Sequence, residues 1–196
     1  MLKAETKIIL ASSSPRRAEL LTFIGVKFEA VPGDVREQPL SGETPPDYII
    51  RLARAKAFAA ARKREKGLVI GADTIVVADD LMLEKPKDEA DAARMLKLLS
   101  GRWHSVMTGV ALYDIEARRE VFDHSKTLVR FAVLGEREIN WYIESGEPMG
   151  KAGAYAIQGR GGLFVEEIEG NYFNVVGLPL SLVRRMVDEL GHSILM

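Results

Sequence analysis

Lys7-Ile8-Ile9-Leu10-Ala11-Ser12-Ser13-Ser14-Pro15-Arg16-Arg17 passes directly from an apolar segment into the start of a helix. Lys7 to Leu10 reads as a strand and Arg17 to Ile24 as a helix, with Gly25 suited to end it. Three hydroxyls and two guanidinium groups therefore fall at a strand-to-helix junction. Backbone N–H groups at a helix start point outward and carry partial positive charge, so such a junction attracts anions. Adjacent arginines add planar, permanently charged donors that match phosphate oxygens. Ser14 before Pro15 also reads as an N-cap followed by proline at the first helical position. Two readings stand side by side: a site for a phosphate-bearing ligand, or a capped helix start with solvated arginines.

Outward from that junction the segments alternate in type, which favours an α/β fold over all-α or all-β. Val26 to Val31 reads as a second strand and Pro32 to Glu43 as a polar loop. Thr44-Pro45 opens a helix to about Lys63. Leu68 to Val77 is a long apolar strand, and Asp79-Asp80 turns it into Leu81-Met82-Leu83. Asp88 to Leu99 reads as a helix that stops before Gly101. Strands near Trp103 to Tyr113 and Val121 to Val133 follow, then a helix over Glu136 to Glu144. Ala154 to Gln158 leads into a glycine-rich turn, Gly159-Arg160-Gly161-Gly162, and a strand from Leu163 to Ile168. An apolar stretch after Gly170-Asn171 reaches Gly177 and Pro179, and Leu180 to Leu190 forms the last helix.

At 196 residues the chain can bury a substantial core and fits one domain, or a single elongated two-lobed one. A net charge of -1 gives no global attraction for nucleic acid or an anionic membrane, so any basic site must be local. The absence of cysteine excludes disulfides, thiolate catalysis and thiolate metal ligation. No leader-like or membrane-spanning apolar run is present, so the expectation is a cytoplasmic protein without membrane or nucleic-acid partners. No Gly-x-x-x-x-Gly-Lys-Ser/Thr loop and no His-Glu-x-x-His or Cys/His cluster occurs, which argues against a P-loop and structural zinc. The scattered His104, His124 and His192 receive no role.

Charges at core positions are the sharper signal. Lys56 shares a helix face with Ile49, Leu52, Ala53, Ala57 and Ala60. There it needs an anion or carboxylate partner, unless its stem carries the ammonium out to water. Asp73 interrupts Val69-Ile70-Gly71-Ala72-Asp73-Thr74-Ile75-Val76-Val77, a strand that otherwise reads as buried. It is either a working carboxylate, a partnered core aspartate or a break in the run. Gly71 and Ala72 leave room for another group to approach the backbone. Glu37 and Lys85, taken alone, read as surface charges. Ala156-Ile157-Gln158-Gly159-Arg160-Gly161-Gly162 reads as a cradle for a base or as a tight turn.

Taken in order, these pieces resemble the Maf family of nucleoside triphosphate pyrophosphatases. The matching segments are Leu10 to Arg17, the Glu37 loop, Arg51-Leu52-Ala53-Arg54-Ala55-Lys56, Gly71-Ala72-Asp73-Thr74 and Glu84-Lys85-Pro86. Leu99-Ser100-Gly101, Lys151-Ala152-Gly153-Ala154-Tyr155, Gln158-Gly159 and Val176-Gly177-Leu178-Pro179 complete the set, which covers nearly the whole chain. The resemblance implies a single inosine-triphosphatase-like domain over 1–196, an elongated two-lobed α/β fold with a long central mixed sheet flanked by helices. It implies hydrolysis of a nucleoside triphosphate to the monophosphate and pyrophosphate. Asp73 then looks like the general base, with Glu37 assisting in metal or water positioning, both around Mg²⁺ or Mn²⁺. Arg16, Arg17, Lys56 and Lys85 would hold the triphosphate, helped by the hydroxyls from Ser12 to Ser14. The subgroup acting on thymidine and uridine triphosphates fits best, with Arg16, Thr74 and Gln158 at its specificity positions. Glutamine offers both a donor and an acceptor, as the imide edge of uracil or thymine requires. Modified pyrimidine triphosphates share that edge. The alternatives are the same chemistry on 7-methyl-GTP or other triphosphates, and a nucleotide-binding regulator that inhibits cell division or septum formation. A homodimer is the assembly the family suggests.

Overall fold

The computed structural model describes residues 6–194. Among these residues, seven strands form one mixed sheet flanked by helices. They are β1 (Ile8–Leu10), β2 (Phe28–Ala30), β3 (Leu68–Ala78), β4 (Leu81–Leu83), β5 (Trp103–Asp114), β6 (Arg119–Phe131) and β7 (Val165–Glu169). Their order is β2-β1-β3-β5-β6-β7, with β4 paired to β3. β1 runs parallel to both β2 and β3, in the register Ile8 to Leu68, Ile9 to Val69 and Leu10 to Ile70. β4 and β7 are antiparallel to their neighbours. Parallel neighbours require crossovers, and the helices between the strands supply them.

Two compact units can be distinguished. The first contains the described residues up to Asp73, Thr108–Ser125 and those from Gly177 on. It carries α1 (Pro15–Phe23), α2 (Pro45–Ala61) and α6 (Leu180–Glu189). Pro15 opens α1 and Gly25 follows it at φ +76°, the left-handed conformation that glycine adopts without penalty. Ser14 sits at the N-cap with Pro15 at the first helical position, as its sequence suggests, although its side chain makes no capping bond. The hydroxyl that works locally is that of Ser12, whose Oγ accepts from Ser14 N at 3.2 Å.

Helix α2 starts at Thr44, whose side chain caps Asp47 N, and buries an alanine-rich face against β3. Its core partners are Ile9, Ala11, Val31, Val69 and Ala111, packed on Ala53, Ala57, Ala60 and Ala61. Small side chains let the helix lie close, and glycines let the backbone meet it. A Cβ on Gly71 would fall 2.2 Å from Ala53 O, on Gly109 2.6 Å from Ile49 O, and on Gly33 2.4 Å from Lys56 O. The space expected beside Gly71 is thus filled by α2.

The second unit contains Thr74–Met107 and Lys126–Val176, with α3 (Glu89–Leu99), α4 (Glu136–Glu144) and α5 (Tyr172–Val176). Asp79 and Asp80 both take positive φ (46° and 63°) in the β3–β4 hairpin, the geometry a two-residue turn favours. Asp88 caps α3 through Asp91 N. The core joins Val76, Leu83, Met95, Leu96, Phe131, Tyr142, Tyr155 and Phe164 among others. The expected strand from Leu163 begins only at Val165, because Arg160–Phe164 coils into a 3-10 turn first. The apolar stretch after Asn171 is the short helix α5, and its Asn174 is fully buried, donating to Val106 O and Thr127 Oγ1 at 2.9 Å each.

Candidate active site

The two charges expected inside the core are there, and they meet. Lys56 and Asp73 are 8% and 7% exposed. Lys56 Nζ donates to Asp73 Oδ1 at 2.6 Å and to Glu37 Oε1 at 2.5 Å. The ammonium therefore sits between two carboxylates, one from β3 and one from the polar loop. Burial of a lone ammonium would cost several kcal/mol, on the order of what desolvating one ion in a protein requires, and the paired geometry offsets it. Glu37, a surface charge when read alone, is half-buried by this pairing.

Arg17 stands at the first turn of α1 and is buried as well. Its Nε donates to Gly177 O at 2.8 Å and its Nη1 to Ser12 Oγ at 3.0 Å. Burial, the largest influence, lowers its pKa from the usual value. Asp73 and Glu37 pull it back up, and neighbouring Arg16 adds to the lowering. Arg16, Glu37 and Asp73 are thus each close enough to act on Arg17. Arg16 and Ser14 are half-buried at the same junction.

Ser12, Arg16, Arg17, Glu37, Lys56 and Asp73 thus gather in the first unit. Thr74, Lys85 and Gln158 belong to the second. Thr74 is half-buried on β3, next in the chain to Asp73; Lys85 is exposed beyond β4, and Gln158 is exposed in a turn after Tyr155.

Arg51 is a residue that spacing did not flag. Its Nη2 donates to Gln38 O at 2.9 Å and to Glu43 Oε2 at 2.7 Å, and its Nε to Glu43 Oε1 at 2.6 Å. The bidentate pair lowers the Glu43 pKa, despite opposing burial. Both grips fall on the loop that carries Glu37, so α2 holds this loop with Arg51 as well as with Lys56. Arg51 opens the Arg51-Leu52-Ala53-Arg54-Ala55-Lys56 segment, and only that membership could have drawn attention to it.

No group of three or more His, Asp or Glu side chains able to hold a metal ion occurs among the described residues. Two carboxylates are nevertheless a donor set that suits Mg²⁺, which completes its shell with water and substrate phosphates. Lys56 Nζ engages one oxygen of each, Glu37 Oε1 and Asp73 Oδ1, and leaves the other oxygen of each carboxylate as the donor for such an ion. Hard oxygen donors suit Mn²⁺ equally.

A model of the family described as Maf-like protein matches residues 7–190. A dTTP/UTP pyrophosphatase of Geotalea uraniireducens (strain Rf4) is 53% identical over 191 residues, covering 97% of this chain and 98% of that protein. One from Koribacter versatilis (strain Ellin345), with the same name, is 52% identical and covers 94% of each. Among solved structures, that of the Staphylococcus aureus Ham1 protein is similar over 64% of this chain and 72% of that one, at 17% identity and a TM-score of 0.44. A family match across the described core, with relatives alike over almost their whole length, means that the chain belongs to the Maf-like protein family.

Proposed function

We propose that the protein hydrolyses dTTP and UTP to the nucleoside monophosphate and pyrophosphate. The observation that carries this is the buried Lys56–Asp73 pair, joined by Glu37 from the polar loop, with Arg17 of the strand-to-helix junction close enough to feel both carboxylates. The names of the relatives point to the same substrates.

The reaction joins water to the α-phosphorus and breaks its bond to the bridging oxygen of the leaving pyrophosphate. No covalent enzyme intermediate is needed, only charge neutralisation, alignment and a proton acceptor. Asp73 Oδ1 is engaged by Lys56, so Oδ2 is the atom that takes the proton of the attacking water. Arg16, Arg17 and the junction amides bind the anion, and Ser12 holds the Arg17 guanidinium in place. Glu37 shares the Lys56 ammonium with Asp73. Asp73 and Glu37 are the residues that would hold Mg²⁺ or Mn²⁺. The chemistry such a cation supplies is neutralisation of triphosphate charge. The resemblance to the family assigns Lys85 to the phosphates and Thr74 and Gln158 to the base.

Pyrophosphate release with Mg²⁺ or Mn²⁺, measured across dTTP, UTP, dCTP, CTP and the purine triphosphates, tests this. Selective cleavage of dTTP and UTP is expected. Cleavage confined to purine or 7-methylguanosine triphosphates overturns the substrate assignment, and tight binding without turnover overturns the reaction.

A further inference from the structure

A polar loop that runs over the surface keeps one shape only where its backbone is tied down. The stretch from Pro32 to Gly42 is such a loop: it contains no helix or strand, and Gln38 to Gly42 are all exposed. It nevertheless carries Glu37, whose carboxylate has to stay with Lys56 and Asp73 for the cluster to exist.

Two side chains of α2 hold Glu37 from opposite ends. Lys56 Nζ donates to Oε1 at 2.5 Å and so fixes the tip of the side chain. Arg51 Nη2 donates to Gln38 O at 2.9 Å and so fixes the backbone one residue on. A side chain held at both its tip and its root keeps few of its rotamers.

Arg51 gathers the rest of the loop as well. Its Nε and Nη2 fork onto Glu43 Oε1 and Oε2 at 2.6 and 2.7 Å. Glu43 Oε2 also accepts from Leu40 N at 3.0 Å, and Glu43 N donates to Leu40 O at 3.1 Å. Gln38, Leu40 and Glu43 are thus drawn onto one guanidinium, which lies 5.4 Å from the centre of the buried Tyr48 ring. The Glu43 side chain is only 8% exposed. Such a fork needs the planar donors of arginine; a lysine keeps the charge and lacks the geometry. The hydrogen bonds with Glu43 are the largest influence on Arg51 and raise its pKa, and Asp73 raises it further as the smallest contribution. Arg51 is therefore close enough to Asp73 to act on it by charge alone, and a test has to separate that field from the grip on the loop. Every residue in this arrangement belongs to the first unit.

We propose that Arg51, through its grip on Gln38 and Glu43, is a positioning residue for Glu37: it shapes the loop so that the Glu37 carboxylate stays with Lys56 and Asp73. This rests on the role given to Glu37 above. Arg51 touches no substrate in this scheme.

The test compares the wild type with Arg51→Lys, Glu43→Gln, Glu37→Gln and the double variant Arg51→Lys/Glu37→Gln. Arg51→Lys keeps the charge near Asp73 and removes the fork. Amide hydrogen exchange at Leu40 and Glu43, read without ligand, should quicken about tenfold, the low end for a lost hydrogen bond to a charged group. With dTTP and Mg²⁺, kcat should fall about tenfold, the low end for losing a residue that orients a site ligand, while KM changes less. In the Glu37→Gln background the same substitution should cost no further activity, because no carboxylate is left to place. Glu43→Gln should act in the same direction and reads the proposal independently should Arg51→Lys not fold. A residue that only supports the fold would cost the same in both backgrounds, and that result overturns the positioning role. Unchanged exchange in the loop of Arg51→Lys overturns it too, and full turnover by Glu37→Gln removes Glu37 from the reaction and Arg51 with it. Absence of dTTP hydrolysis by the wild type defeats the functional reading by itself, whereas the exchange rates still decide whether Arg51 holds the loop.

Discussion

Lys56 in the first unit and His104 in the second are both nearly inaccessible, and they are buried to opposite ends. Lys56 lies between two carboxylates at hydrogen-bond distance. His104 is 3% exposed, packed edge-on against Phe131 with ring centres 5.0 Å apart. Its Nε2 meets the Tyr155 hydroxyl at 2.9 Å, and its Nδ1 finds no partner among the described residues. Desolvation, with no carboxylate to oppose it, lowers the histidine to about 4. Burial alone therefore says little about chemistry. What surrounds the group decides whether it serves an anionic substrate or simply completes a core.

The largest break in this comparison should come from Asp73→Asn. An asparagine can still accept from Lys56 but cannot take a proton from water. Turnover of dTTP at saturation should fall by about 10²–10⁴-fold, the usual contribution of a general base, while nucleotide binding persists. Retained turnover would remove Asp73 from the mechanism.

Lys56→Met comes next, since it leaves two carboxylates facing each other without their shared ammonium. Urea denaturation should show a loss of about 3–5 kcal/mol, the range for breaking a buried ion pair, with part of it restored when Glu37→Gln is added. A loss no greater than that of an exposed pair would mean the cluster is solvated in solution.

The histidine gives the smallest effect, and only in acid. Its folded pKa lies below the unfolded value of about 6.5, so the unfolded chain takes up the proton first. The stability it contributes is complete above pH 6.5 and is lost as the pH falls toward 4, about 3 kcal/mol in all at 1.36 kcal/mol per pH unit. His104→Phe should flatten that part of the stability profile while leaving turnover at pH 7.5 within about twofold. Equal acid slopes in both proteins would show that the ring is not desolvated.

Much of this organisation was legible in the residues, because the decisive features are local or periodic. The β1–α1 junction follows from an apolar run meeting Ser14-Pro15, and α4 from a clean amphipathic period over Glu136–Glu144. Lys56 and Asp73 betrayed themselves by violating a pattern. Periodicity could not say that they meet each other, since that pairing depends on how α2 packs on β3. Ser14 is the N-cap that its place before Pro15 suggests, but which hydroxyl bonds there is not written in the spacing: Ser12 Oγ accepts from Ser14 N, and the Ser14 side chain caps nothing. Glycines between Gln158 and Leu163 looked like a turn running into a strand, yet the chain coils once more before pairing at Val165. Arg51 went unmarked because it acts on the loop around Gln38 and Glu43, and no spacing along the chain records such a contact.

Gly33, Gly71 and Gly109 lie against the backbone of α2 at distances where no β-carbon would fit. Their service is subtraction. Each missing methyl lets the helix settle a little deeper on the sheet, and this depth decides where the ammonium of Lys56 ends its reach. Close-packed interiors answer an added carbon by moving the neighbour, so the exchange of glycine for alanine would here act as a lever on a helix. The chemistry of the cluster is thus tuned from positions that carry no reactive group, where the mildest change in the genetic code can pull apart charges it never touches.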